Sequence, residues 1–259
     1  MTGVVVGACA VLGLAVGSFL NVVVWRVPRR ESVVRPPSHC PACDTAIAPR
    51  DNVPVASWVL LKGRCRHCGT GIPARYPVVE ALTAVLFGAM GARFADSFVL
   101  PAYLVFTAGL VALAFIDLDT MLLPNRVLYP VGFAAVPLLA LGAGLDGDLD
   151  AFGRALLGGA AAFAFFFAVF FVSPRSMGFG DVRLSALLGV FLAHLGWGHL
   201  FFGLLAGFCY GAAVGLALMA LGRHRRRQPI PFGPFLVAGA LTFVLAGTPV
   251  VDWYANLGA

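Results

Sequence analysis

Apolar runs of spanning length alternate with short polar breaks along most of the chain. They fall at about 3–25, 78–94, 98–116, 127–144, 152–173, 184–198, 199–221 and 234–251. A helix needs about 20 apolar residues to cross the ~30 Å hydrocarbon layer. The pattern therefore predicts an all-α polytopic membrane protein with about eight transmembrane helices. The fifth run is the purest, with no polar residue from Ala155 to Val172. The second carries Glu80. The sixth carries His194 and meets the seventh at the weak break Gly196-Trp197-Gly198-His199. The first run follows Met1 and Thr2 with no basic residue before it, so it reads as a retained helix and not a cleavable signal. One gap differs from the rest. Residues 26–77 are polar, hold four Cys, and predict a small soluble insert between helices 1 and 2. The expected division is a first helix, 1–25, the insert, 26–77, and a multi-helix membrane domain, 78–259.

Composition supports this and narrows it. The 259 residues are 60% hydrophobic and 12% charged, against about 25% charged in a soluble domain. That excludes a disordered chain, a coiled coil, a secreted disulfide mini-protein and almost any cytosolic enzyme. The net charge of +6 reports topology. With the insert on one side and eight alternating spans, that side receives nine basic residues between Arg26 and Arg75. It also receives Arg126, Arg175, Arg183, Arg223, Arg225, Arg226 and Arg227, leaving only Arg93 and Arg154 opposite. The positive-inside rule makes the insert side cytoplasmic, with both termini outside. The acidic loop Asp146, Asp148, Asp150 falls on the outer side. No basic stripe interleaved with aromatics points to a nucleic acid; the expected surroundings are a lipid bilayer.

Cys40-Pro-Ala-Cys43 and Cys65-Arg-His-Cys68 form paired C-x2-C knuckles. That spacing lets both thiolates of each pair reach one tetrahedral ion, and four protein ligands leave no open position. Cys40, Cys43, Cys65 and Cys68 are therefore the expected ligands of a structural zinc. Reduced thiols or a redox pair are the alternative. His39 and His67 are expected to be bystanders, and Cys9 and Cys209 buried small hydrophobes.

Ionisable groups at membrane depth are costly and point to function. Asp117 and Asp119 close the third span in Phe115-Ile-Asp-Leu-Asp119, and Asp181 follows Gly178-Phe-Gly180 just before the sixth. All three approach one membrane face in this topology. Two carboxylates sharing a site do not both ionise easily, so one is acid while the other is base. Such a pair can activate water and protonate an amide leaving group, as in aspartic proteases. Simple interfacial or capping roles are the alternative. Asp117 and Asp119 are two apart and point to different helix faces, so at most one meets Asp181. Glu80 reads as an interfacial group or as the lining of a polar site.

These residues resemble the bacterial prepilin peptidases, also called type IV leader peptidases, a branch of the GxGD membrane aspartic proteases. The resemblance runs through Gly17-Ser-Phe-Leu-Asn-Val-Val-Val-Trp-Arg26, the four-Cys insert, Asp51-Asn-Val-Pro-Val55, Gly63-Arg-Cys-Arg-His-Cys68 and Arg75-Tyr-Pro-Val-Val-Glu80. It continues through Ile116-Asp-Leu-Asp119, Leu122-Leu-Pro124, Gly178-Phe-Gly-Asp-Val-Arg-Leu184 and Pro229-Ile-Pro-Phe-Gly-Pro234. It implies that Asp117 and Asp181 are the catalytic aspartates of an endopeptidase in the bacterial inner membrane. The substrates implied are type IV prepilins or pseudopilins, cut at the cytoplasmic face to remove a short basic leader. Members with the cysteine insert often also methylate the new N-terminus with S-adenosylmethionine, and the insert is complete here. No motif assigns the methyl-donor site. Asn125 stands where the family often has Asp, and Arg183 where Lys is usual. The alternatives are a peptidase without methyl transfer, or a metal-responsive membrane transporter using the cysteines for sensing and the aspartates for ion coupling.

Overall fold

A computed structural model describes residues 2–174, 177–221 and 230–256. Of the sequence expectations, Arg175, Arg223, Arg225, Arg226, Arg227 and Pro229 lie outside these residues. The described residues are helical, with no strand among them and only the isolated bridges His39↔Ala46 and Arg64↔Gly71. The helices are α1 (Thr2–Arg26), α2 (Ala56–Leu60), α3 (Arg75–Arg93), α4 (Leu100–Thr120), α5 (Asn125–Asp146), α6 (Leu149–Val172), α7 (Phe179–Leu195), α8 (Trp197–Ala220), α9 (Gly233–Ala246) and α10 (Thr248–Asn256). The chain divides into two compact units between Asp96 and Ser97.

In unit 1, α1 packs antiparallel on α3 through small residues. A Cβ on Gly13 would sit 2.7 Å from the Ala84 Cα, and one on Gly17 2.7 Å from the Glu80 Cα. In a bilayer there is no water to drive helices together, so close backbone approach and van der Waals contact hold such pairs. The segment between α1 and α3 carries the four cysteines and only short helical turns.

In unit 2, α4 is the most buried of the long helices. Its Phe106 stacks on Phe191 of α7 with ring centroids 4.0 Å apart, and the buried Tyr103 hydroxyl donates to the Phe191 carbonyl at 3.0 Å. Gly158 and Gly159 of α6 lie against Gly189, Val190 and Ala193 of α7, and Gly207 of α8 lies against Gly239 of α9. Large apolar side chains such as Phe133, Phe171 and Leu216 point outward, as lipid-facing surfaces require. Arg154 closes the far end of α7, donating to the Ala193 and His194 carbonyls at 2.8 Å each.

Among the described residues, five helices are each long and apolar enough to cross a membrane: α1, α4, α5, α6 and α8. The number is six if α9 and α10, bent by 75° at Gly247, count as one span. Two predicted spans fall short of this measure for visible reasons. α3 carries Arg75, Glu80 and Arg93, and α7 is 17 residues long with Asp181 and Arg183 in its first turns. Cys9 is buried, but Cys209 is exposed, because its face of α8 looks outward.

Candidate active site, cysteine cluster and unit 1 cavity

Asp117 sits in the last turn of α4. That helix stops where Met121 turns left-handed (φ 55°) and its N–H closes on the Asp117 carbonyl at 2.8 Å. Pro124, extended, then leads into α5. Asp181 lies in the first turn of α7, its N–H bonded to the Gly178 carbonyl at 3.0 Å. It is thus inside the helix and not ahead of it, because α7 starts within the glycine motif and not at the first apolar run. The two carboxylates are within electrostatic reach of each other. Both residues are buried, at 5% and 8% exposure. Asp119 faces outward and is exposed.

Each carboxylate has a distinct setting. Asp117 Oδ2 accepts the Gly233 backbone N–H, at the start of α9, at 3.0 Å. Asp181 Oδ1 is buried and, among the described residues, has no hydrogen-bond partner. Leu123, in the link between α4 and α5, fills the space beside both: it lies against Gly180 of the glycine motif and against Gly233. Arg183 stacks over Phe179 at 4.6 Å and donates to Asn125 on α5. The two departures from the family pattern therefore touch each other. The arrangement is a buried pair of carboxyl groups with one acceptor oxygen unpartnered among the described residues, a setting in which two carboxyls can share one proton.

Sequence reasoning gave Gly233 no role, because a backbone donor leaves no side-chain signature. The signal was Phe-Gly-Pro at a helix start. A Cβ on Gly233 would sit 2.7 Å from Asp117 Oδ2, so Gly233→Ala must displace that carboxylate. We expect it to lower any Asp117-dependent activity by about 10-fold or more while the protein still inserts, since misplacing a reacting group is costly; a peptide-cleavage assay on the purified variant checks this.

The four cysteine Sγ atoms lie within 4.8 Å of one another, and Cys40 Sγ is 3.8 Å from Cys68 Sγ. Four thiolates at ~2.3 Å around a tetrahedral zinc stand ~3.8 Å apart, so the cluster fits the ion. The two knuckles are built alike. Cys40 N–H bonds to the Thr45 carbonyl and Asp44 N–H to the Cys40 carbonyl; Cys65 with Thr70 and Gly69 with Cys65 repeat this 25 residues on. Asp44 and Gly69, both with positive φ, turn the chain at matching places. The repeat is visible as C-x-x-C-x-T-x-I, ending in Ile47 and Ile72, and was not read from the sequence. The Thr70 hydroxyl and N–H hold the Cys68 thiol down to about 6, which favours the thiolate a metal needs.

Arg66, inside the second knuckle, pairs with Asp51 at 2.6 Å and holds its carboxyl below the usual carboxylate range. A depressed folded value gives stability that is complete above the unfolded value of about 3.9 and is lost as pH falls through the lower folded one. The pair is thus constant between pH 5 and 8. Asp51→Asn is expected to weaken zinc retention without altering its pH dependence, which thiol protonation sets; zinc release followed against pH checks this.

Unit 1 also holds a partly open cavity of about 920 Å³ lined by Ser18, Asn21, Arg26, Val55, Tyr76 and Glu80 among others. Asn21, 3% exposed, donates to the Tyr76 carbonyl, and its Oδ1 is without a partner among the described residues. Glu80, 8% exposed, accepts the Val55 N–H at 2.7 Å and is also hydrogen-bonded by Ser18. Val55 has φ 59°, where a β-branched residue is an outlier. The turn is fixed by Ser57, whose hydroxyl donates to the Arg50 carbonyl and accepts the Val53 N–H, each at 3.0 Å.

Residues 11–94 match the bacterial peptidase A24 N-terminal domain, and residues 104–216 match the type IV leader peptidase family. The chain is 36% identical to the prepilin leader peptidase/N-methyltransferase of Bacillus subtilis (strain 168), covering 95% of this chain and 96% of that protein. It is 36% identical to the protein of that name from Aeromonas hydrophila, covering 93% and 90%. It is 45% identical to the one from Myxococcus xanthus (strain DK1622), covering 82% and 63%. No solved structure matches the chain.

Proposed function

Because the chain belongs to the type IV leader peptidase family, we propose that it is a membrane aspartic endopeptidase that removes the leader from prepilins or pseudopilins and then methylates the new N-terminus. The carrying observation is the burial of Asp117 and Asp181 within electrostatic reach of each other, with Gly233 fixing one oxygen and Asp181 Oδ1 left open. On this reading the pair shares one proton. The ionised carboxylate takes a proton from water as the oxygen adds to the scissile carbonyl. The protonated one donates to the carbonyl oxygen, and collapse delivers a proton to the leaving amine. Cutting at the cytoplasmic interface spares the enzyme from exposing a peptide bond in hydrocarbon, and the bias of basic residues toward the insert side supports that orientation. Cys40, Cys43, Cys65 and Cys68 would hold a structural zinc.

S-adenosylmethionine would supply the methyl group. The unit 1 cavity has the volume for it, and its walls hold charged groups of both signs that such a zwitterion needs, among them Arg26, Arg35 and Glu31. The test is mass spectrometry of a prepilin incubated with the purified protein and S-adenosylmethionine. The expected product lacks its leader and is one methyl group heavier. A shortened, unmethylated product removes the second activity, and an intact substrate beside a working control peptidase removes the first.

A further inference from the structure

Glu80 takes no part in the aspartate pair or the cysteine cluster, yet it is held with unusual care. Its carboxylate is buried on the wall of the unit 1 cavity. One oxygen is fixed by the backbone N–H of Val55, which presents it from a rare conformation. A simple tie between the insert and α3 would not need a β-branched residue at positive φ; backbone strain of this kind persists where the surroundings over-determine it, and it clusters at functional sites. The other carboxylates on the cavity wall are differently placed: Asp51 is engaged by Arg66, and Glu31 is exposed. Asn21 lies on α1, three residues beyond Ser18, with a buried acceptor still open.

We propose that Glu80 accepts the proton of the new N-terminal ammonium during methyl transfer, with Asn21 Oδ1 accepting a second N–H to hold that group in place. The inference rests on the two-activity reading above. An ammonium has no lone pair and cannot attack. One proton must leave first, and Glu80 is the buried base on this wall to receive it. The amine lone pair then forms the N–C bond to the sulfonium methyl as the C–S electron pair goes to sulfur, which leaves as a neutral thioether. Glu80 afterwards passes its proton to water. Ser18 and the Val55 N–H hold the carboxylate in place, so that the group meets the amine in one orientation.

Glu80→Gln separates this role from a structural one. The amide oxygen still accepts from Val55, but the side chain takes up no proton. The full-length protein in detergent is assayed for cleavage, methylation, zinc content and binding of S-adenosylhomocysteine by calorimetry. We expect methylation to fall about 100-fold or more, the usual weight of a general base, with cleavage, zinc and binding unchanged. Methylation at the wild-type rate overturns the role of Glu80 and leaves the two-activity reading standing. Joint loss of methylation, zinc and cleavage makes Glu80 a structural tie and also overturns it. A wild-type protein that neither methylates nor binds S-adenosylhomocysteine overturns the underlying reading, and the proposal with it.

Discussion

Asp117→Asn and Asp181→Asn are each expected to reduce leader cleavage by about 1000-fold or more, ~4 kcal/mol of transition-state stabilisation. Each amide keeps the shape of the carboxyl group but removes the exchangeable proton or the base. The two losses should not add, because residues acting as a unit fail together. Insertion and folding should survive. Gly233 N–H still has an oxygen to bond in the first variant, and the second replaces a carboxylate whose Oδ1 already lacks a partner. Asp119→Asn should be far milder, because Asp119 faces outward. Single-turnover cleavage of a prepilin by the purified variants, compared with their thermal unfolding, decides the matter. Retained cleavage in either dyad variant would remove the pair from the reaction.

Metal removal carries the second large effect. Structural zinc contributes about 10–16 kcal/mol of apparent binding energy in small cysteine sites, more than a segment with so little helix recovers by other means. Chelation, or Cys40→Ser, is therefore expected to unfold the segment between α1 and α3, seen as rapid amide hydrogen exchange there. Methylation should fall at least about 100-fold, and cleavage by less, since Asp117, Asp181 and Gly233 take their hydrogen bonds from within unit 2. Methylation that persists in a zinc-free protein would detach the metal from the second activity.

The long helices were legible because lipid imposes one rule on every residue of a span. The runs at 98–116 and 127–144 predicted α4 and α5 to within four residues at each end. Apolarity alone failed where function sets the boundary. α7 begins five residues before its apolar run, taking Asp181 into its first turn. The last run, 234–251, breaks at Gly247 into two helices, and Pro249 just beyond was the overlooked signal. Residue type and spacing pointed to Asp181 with one of Asp117 and Asp119, and the family resemblance chose Asp117, which is buried where Asp119 is exposed; the surroundings of the pair could not be read. Gly233 contributes a backbone N–H, Leu123 contributes only bulk, and Val55 contributes a conformation its side chain disfavours. None of these is encoded by residue chemistry, so each waits on the folded chain.

The twin knuckles also bear on how the cavity wall keeps its form. Cys40 and Cys65 stand 25 residues apart, and the stretch between them carries Val55, Ser57 and Trp58. An ion shared by both ends acts as a cross-link closing that loop, which by chain-entropy reasoning removes about 3–4 kcal/mol of unfolded-state freedom. Each knuckle's own hydrogen bonds shape its turn, but they are too few to hold the loop without an ion that couples its two ends. An ion held there would thereby help, from a wall of the cavity to which Cys40 and Cys65 themselves contribute, to keep a strained valine at the angle at which its N–H meets Glu80.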